Sequence, residues 1–80
     1  MMKLSRAINP MPETIRLALS ERGLMTAYEA RPDYQRNDYL GWIARARLSS
    51  TQEKRLRQML EELARGDVYM NMAWRPRKRI

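Results

Sequence analysis

Strand-forming residues are scarce in this chain. Valine occurs once, isoleucine four times and phenylalanine never, whereas leucine, methionine, alanine and arginine are plentiful. Strands favour β-branched and aromatic side chains, and helices tolerate straight ones better. No stretch alternates apolar and polar positions for long enough to suggest a strand. The expected fold class is therefore all-α: a small helical bundle of three to four helices with a flexible basic C-terminal tail.

Prolines and glycines divide the chain. Pro12 sits where a first helical residue belongs, Glu13 follows near the positive helix end, and Ile15, Ala18 and Leu19 share a face before Gly23 offers a stop. Leu24 to Ala30 is expected to form a short second helix carrying Leu24, Met25 and Tyr28. Pro32 reopens a helix expected to reach about Arg47. Its Tyr39, Leu40, Trp42, Ile43, Ala44 and Ala46 cover more than half of the circumference, which places it centrally.

In the last helix Leu56, Met59, Leu60 and Leu63 form a stripe at i, i+3, i+4, i+7, closed by Gly66. Its start has the form of a capping box, Ser50 with Glu53 or, one residue earlier, Ser49 with Gln52. Glu53–Arg57 and Glu61–Arg65 are i,i+4 pairs, and the short link from Arg47 to Ser50 requires the last two helices to pack as a hairpin or a bent pair. The segment Val68 to Trp74 is apolar enough to fold back on the bundle, in a conformation the sequence leaves open. The expected organisation is an N-terminal extension over residues 1–10, a helical domain over 11–74 and a basic tail over 75–80.

Tyr39, Trp42-Ile43, Ala46, Thr51, Arg55, Leu63 and Gly66 match a recurring bacterial pattern without a gap, and Met11-Pro12-Glu13 with Ala18-Leu19 matches its opening. On these residues the chain resembles the YdeI/OmpD-associated (OmdA), bacteriocin-protection-like family over about residues 11–66. Gln52 stands where the pattern usually has its first arginine, and Ser49 where it often has proline. The resemblance implies a small helical domain, alone or appended to others. The family is named for links to bacteriocin protection and porin association, and no catalytic activity is firmly attached to it.

Composition narrows the functions. With 80 residues, 44% apolar and 31% charged, the chain is one globular domain. It has no cysteine and no histidine, which removes disulfides, thiol chemistry, zinc sites and the commonest general base. Glu61 and Glu62 are adjacent on a helix and point about 100° apart. Asp33, Asp38 and Asp67 have no catalytic partner at useful spacing, and the three glycines are too separated for a phosphate loop. Ser49, Ser50 and Thr51 read as caps. The expectation is a non-catalytic module without a cofactor or metal. No apolar run approaches the ~20 residues of a membrane span, and the first residues lack a signal peptide's apolar stretch, so a cytoplasmic location is expected.

The net charge of +7 invites an anionic partner. Arg45, Arg47, Lys54, Arg55 and Arg57 bracket the helix-to-helix link, and Arg75, Arg77, Lys78 and Arg79 crowd the tail, leaving residues 1–74 with twelve basic against nine acidic groups. Arg55 lies about 90° from the centre of the leucine stripe. There it either grips an anion or covers the core with its stem while its head meets a carbonyl or acid on the preceding helix. Trp42 and Tyr39 are expected to pack inward, and Met70 and Met72 are the methionines with a case for a partner surface. A protein partner is the leading expectation. A helix-turn-helix-like nucleic-acid module built on the basic last helix and tail is the alternative, with tail adhesion to anionic lipid a third. Oligomeric state is not legible, although Val68–Trp74 offers an apolar patch for self-association.

Overall fold

The computed structural model of the protein describes residues 8–75. Helices α1 (Glu13–Glu21), α2 (Met25–Glu29), α3 (Asp33–Ala44) and α4 (Ser49–Arg65) are followed by two short strands, β1 (Val68–Tyr69) and β2 (Met72–Ala73). The strands pair antiparallel, Val68 opposite Ala73 and Tyr69 opposite Met72. The fold is mostly helical rather than strictly all-α. Among the described residues no helix is long and apolar enough to cross a membrane.

Punctuation acts largely where the sequence places it. Pro12 and Pro32 are extended cap residues one position ahead of their helices, and each carbonyl accepts two N–H groups of the first turn. Gly23, at φ +67°, closes α1: its own N–H reaches Ser20 O, and Leu24 N–H reaches Leu19 O at 2.8 Å. That pair of bonds is a Schellman motif, which requires the left-handed conformation glycine adopts without penalty. Gly66, at φ +82°, ends α4 in the same region.

Two boundaries differ from expectation. Helix α3 ends at Ala44 and does not reach Arg47, because the chain turns at Arg45 and still buries Ala46. Helix α4 starts at Ser49 with Leu48 as its cap residue, and neither serine makes a side-chain cap. Instead the Gln52 side chain donates to Ala46 O at 3.0 Å, tying the first turn of α4 to the corner before it.

The core is formed by Ile15 and Leu19 of α1, Tyr28 of α2, Tyr39, Leu40 and Ile43 of α3, and Met59, Leu60 and Leu63 of α4. Leu56, Trp42, Leu24 and Met25 pack against it half-buried. Helix α3 packs chiefly on α4, and β1 also rests on α4. Each fully buried Leu, Ile or Met side chain contributes about 1.5–3 kcal/mol.

The docked part of the chain begins before residue 11. Asn9 lies against α3, its backbone N–H donating to Asn37 Oδ1 at 2.6 Å and its side-chain amide to the Asn37 carbonyl at 3.1 Å. Gly41 makes this approach feasible, since a Cβ there would stand 2.7 Å from Asn9 Nδ2.

Candidate functional site

The densest polar cluster lies where α3, α4 and the β-hairpin meet, and Glu62 is its centre. Glu62 is 4% exposed, and its carboxylate accepts four hydrogen bonds. Oε1 takes the Tyr39 hydroxyl and the Met70 N–H (2.8 Å), while Oε2 takes the Asn71 N–H (2.9 Å) and the Gln58 amide (3.0 Å). Burial pushes this carboxyl up, but the bonds from Tyr39, Asn71, Met70 and Gln58 outweigh it and hold the group below the usual carboxylate value. Burial and the bond to Glu62 push the Tyr39 hydroxyl far up, so it stays a donor.

The two backbone donors come from an unusual turn. Met70 (φ 50°) and Asn71 (φ 64°) both occupy the left-handed region, as the central pair of a type I′ turn must. Asparagine tolerates that conformation and methionine does not favour it. Turned this way, the two successive N–H groups point at one carboxylate, which offsets the strain.

Aromatic side chains and Arg31 complete the cluster. Tyr69 meets Tyr39 and Tyr34 edge-on, at centroid distances of 5.4 and 5.9 Å, and its hydroxyl donates to Asp38 Oδ2 at 2.7 Å. Arg31 is 4% exposed. Its guanidinium donates to Gln35 Oε1 and to the Glu62 carbonyl, both at 3.0 Å, and stacks 4.5 Å from the Trp74 ring.

Arg55 serves the other end of the α3–α4 interface. Its Nη1 donates to Trp42 O at 2.6 Å, and its guanidinium carbon lies 5.2 Å from the Trp42 ring. This is a carbonyl on the preceding helix, the second of the two settings expected for Arg55. Arg45, Arg47, Lys54 and Arg57 are exposed, and none makes an ion pair among the described residues. Thr51 is half-buried. Arg75 is exposed, and Arg77, Lys78 and Arg79 lie outside the described residues. Arg65 pairs with Asp67 (3.4 Å) instead of Glu61. Met70 packs against the core while Met72 is 58% exposed, so the two methionines do not share a surface.

A groove of about 490 Å³ runs between α1, α3 and the first turns of α4. Pro12, Ile15, Leu40, Ile43, Ala44 and Leu56 give it an apolar lining, and Glu53 is the charged residue in its wall. Leu48, next to it in sequence, is 66% exposed.

Sequence reasoning passed over Arg31 and Gln35, and weighed Glu62 only as a catalytic group. One signal was available: Glu62 follows Arg55 by seven residues and so lies on the same flank of the leucine stripe. A carboxylate on the flank where an arginine packs inward is a candidate for burial.

No curated protein and no solved structure matches the chain. A family model described as "Bacteriocin-protection, YdeI or OmpD-Associated" matches residues 10–66, well over half of the sequence and the whole of the helical part. The chain belongs to this OmdA family.

Proposed function

We propose that the protein is a non-catalytic accessory module that works in the cytoplasm by contact with a partner protein. The observation that carries this reading is the apolar groove between α1, α3 and α4, with Leu48, adjacent to its wall residue Ser49 in sequence, exposed. A concave, mostly apolar lining with a few polar groups is the usual form of a binding site. The occupant that fits is a segment of a partner presenting aliphatic side chains to the groove and a basic group to Glu53. The polar cluster supports a non-catalytic role, because all four donors around Glu62 are already engaged in holding the hairpin. A saturated, ionised and enclosed carboxylate makes a poor general base.

Photo-crosslinking tests the reading. A photoreactive phenylalanine analogue at Ala44, inside the groove, should trap one protein in living host cells, whereas the same residue at exposed Leu17 should trap none. Equal labelling from both positions, or no product from Ala44, would refute the groove as the contact face.

One observation favours a second reading, nucleic-acid binding: Arg45, Arg47, Lys54 and Arg57 are all exposed around the α3–α4 corner, without an ion pair among the described residues. Binding to duplex DNA or single-stranded RNA that falls steeply with salt and survives removal of residues 75–80 would establish it over the protein-contact reading. Binding lost with the tail would show only non-specific attraction.

A further inference from the structure

Helix α1 packs chiefly on α2, whereas α4 packs chiefly on α3 and β1. The flanks that α1 and α4 turn toward each other are therefore left apart. The groove of about 490 Å³ opens at the N-terminal ends of these two helices. A second depression, of about 360 Å³, lies further along the same pair, with Ala18, Glu21 and Arg22 on one side and Arg57 and Leu60 on the other. Both depressions include Glu53 and Leu56 in their lining, so they join at that waist into one trough.

The walls of the trough are regular. Thr14, Ala18 and Glu21 stand at i, i+4, i+7 on one side, and Ser49, Glu53, Leu56 and Leu60 at i, i+4, i+7, i+11 on the other. Each set is one helix face. The two sets progress in sequence from the same end, so α1 and α4 flank the trough as parallel helices. At about 1.5 Å per residue, the lined stretches 12–22 and 49–60 each run about 15 Å, the length of a helix of about ten residues. The floor is the core itself, through Ile15, Leu40, Ile43 and Leu60.

This shape selects a helix as occupant. Helix ridges at i±4 leave grooves that receive the ridges of another helix. An extended peptide instead binds by adding main-chain hydrogen bonds to a sheet edge, and helical walls spend those groups internally. Charge then constrains the sequence of the occupant. Glu53, at the waist, is exposed and makes no ion pair among the described residues, not even with Arg57 one turn on. Beyond the waist Glu21 is set against two cations, Arg22 and Arg57. The trough is thus acidic at its middle and basic towards Leu60.

We infer that the trough seats an amphipathic helix of a partner protein. That helix has about three turns, aliphatic residues at i, i+3, i+4, i+7, a cation at mid-length for Glu53 and an anion towards Arg22 and Arg57. The inference rests on the groove being a protein-contact face, and it extends that face along the whole of α1.

The test is a two-dimensional amide NMR titration of the full chain with a designed helical peptide of about fifteen residues. It carries leucines at i, i+3, i+4, i+7, a lysine beside the middle of that stripe and a glutamate near one end. Saturable shifts should appear at both ends of the trough, at Thr14 and Gln52 and also at Glu21 and Leu60. A peptide of the same composition with its leucines spread around the helix should bind at least about tenfold more weakly. The parent should prefer the lysine peptide to one with glutamate at that position by about threefold or more, and Glu53→Lys should reverse the preference. Equal binding of the two leucine arrangements, an unreversed preference, or no saturation by about 1 mM would overturn the inference. Shifts at the same residues on concentrating the protein alone would assign the trough to a second copy and overturn it too. A cross-link from Ala44 in cells, combined with peptide shifts confined to the Thr14 end, would refute the long helix and spare the contact face.

Discussion

Replacing Glu62 by glutamine tests whether one buried charge holds the C-terminal hairpin in place. The two side chains are nearly the same size, so packing is preserved and only hydrogen bonding changes. An amide offers one acceptor oxygen where the carboxylate offered two, and each carboxylate oxygen takes one side-chain donor and one backbone donor. Tyr39 and Gln58 can reorient to accept from the new NH2 group. A backbone N–H cannot, so either Met70 or Asn71 is left facing a donor. One orphaned buried donor costs about 1–3 kcal/mol, and loss of charge from the remaining bonds adds about 1 kcal/mol or more. A total of about 3 kcal/mol lowers the melting temperature of a domain this size by about 12–24 °C.

Far-UV circular dichroism melts at neutral pH measure the difference directly. The pH dependence gives a second, independent readout. The folded carboxyl sits below its usual 4.5, so its contribution is fully present above that value and is lost as pH falls through the folded one. The gap between Glu62→Gln and the parent should therefore be widest near neutrality and should shrink below about pH 4.5. A variant melting within about 3 °C of the parent, or a gap that is constant across the acid range, would refute the carboxylate's role.

Three further substitutions probe the remaining contacts. Arg55→Ala should lower stability by about 1–3 kcal/mol, because Trp42 O loses its donor and the indole its cation; an unchanged urea midpoint would count against it. Gly41→Ala should displace Asn9 from Asn37, since the new methyl would come within 2.7 Å of the Asn9 amide; the side-chain amide resonances of both asparagines should shift, and static resonances would contradict the docking. Trp74→Ala should cost about 0.5–2 kcal/mol by removing the ring that covers Arg31. Its effect should grow less than additively when combined with Glu62→Gln, because both changes loosen the same hairpin, and strict additivity in chemical denaturation would show that they act separately.

Much of the helical frame was legible because its signals are local. Pro12, Gly23, Pro32 and Gly66 act through their own backbone preferences, and the stripe from Leu56 to Leu63 needs only helical periodicity. The inward turn of Arg55 was legible as one of two alternatives, since a border position with a long stem restricts where the head can go. The hairpin was not legible. Its turn is Met70-Asn71, without the glycine that usually advertises a type I′ turn, and its strands are two residues each. What holds it is Glu62, eight and nine residues away in sequence and brought near only by the fold. The cap of α4 failed for a related reason: Gln52 satisfies a carbonyl in the preceding corner, a tertiary contact that replaces the local serine cap.

The family match stops at Gly66, yet the two amides that satisfy Glu62 belong to residues 70 and 71. Trimmed at that glycine, the polypeptide would retain its four helices and lose the lock on an anion already sealed inside them. The acid would then have to find water or a proton, prying α4 from α3 at its far end. The structural unit is thus longer than the recognisable one, and residues 68–74 act as a plug for the bundle beneath.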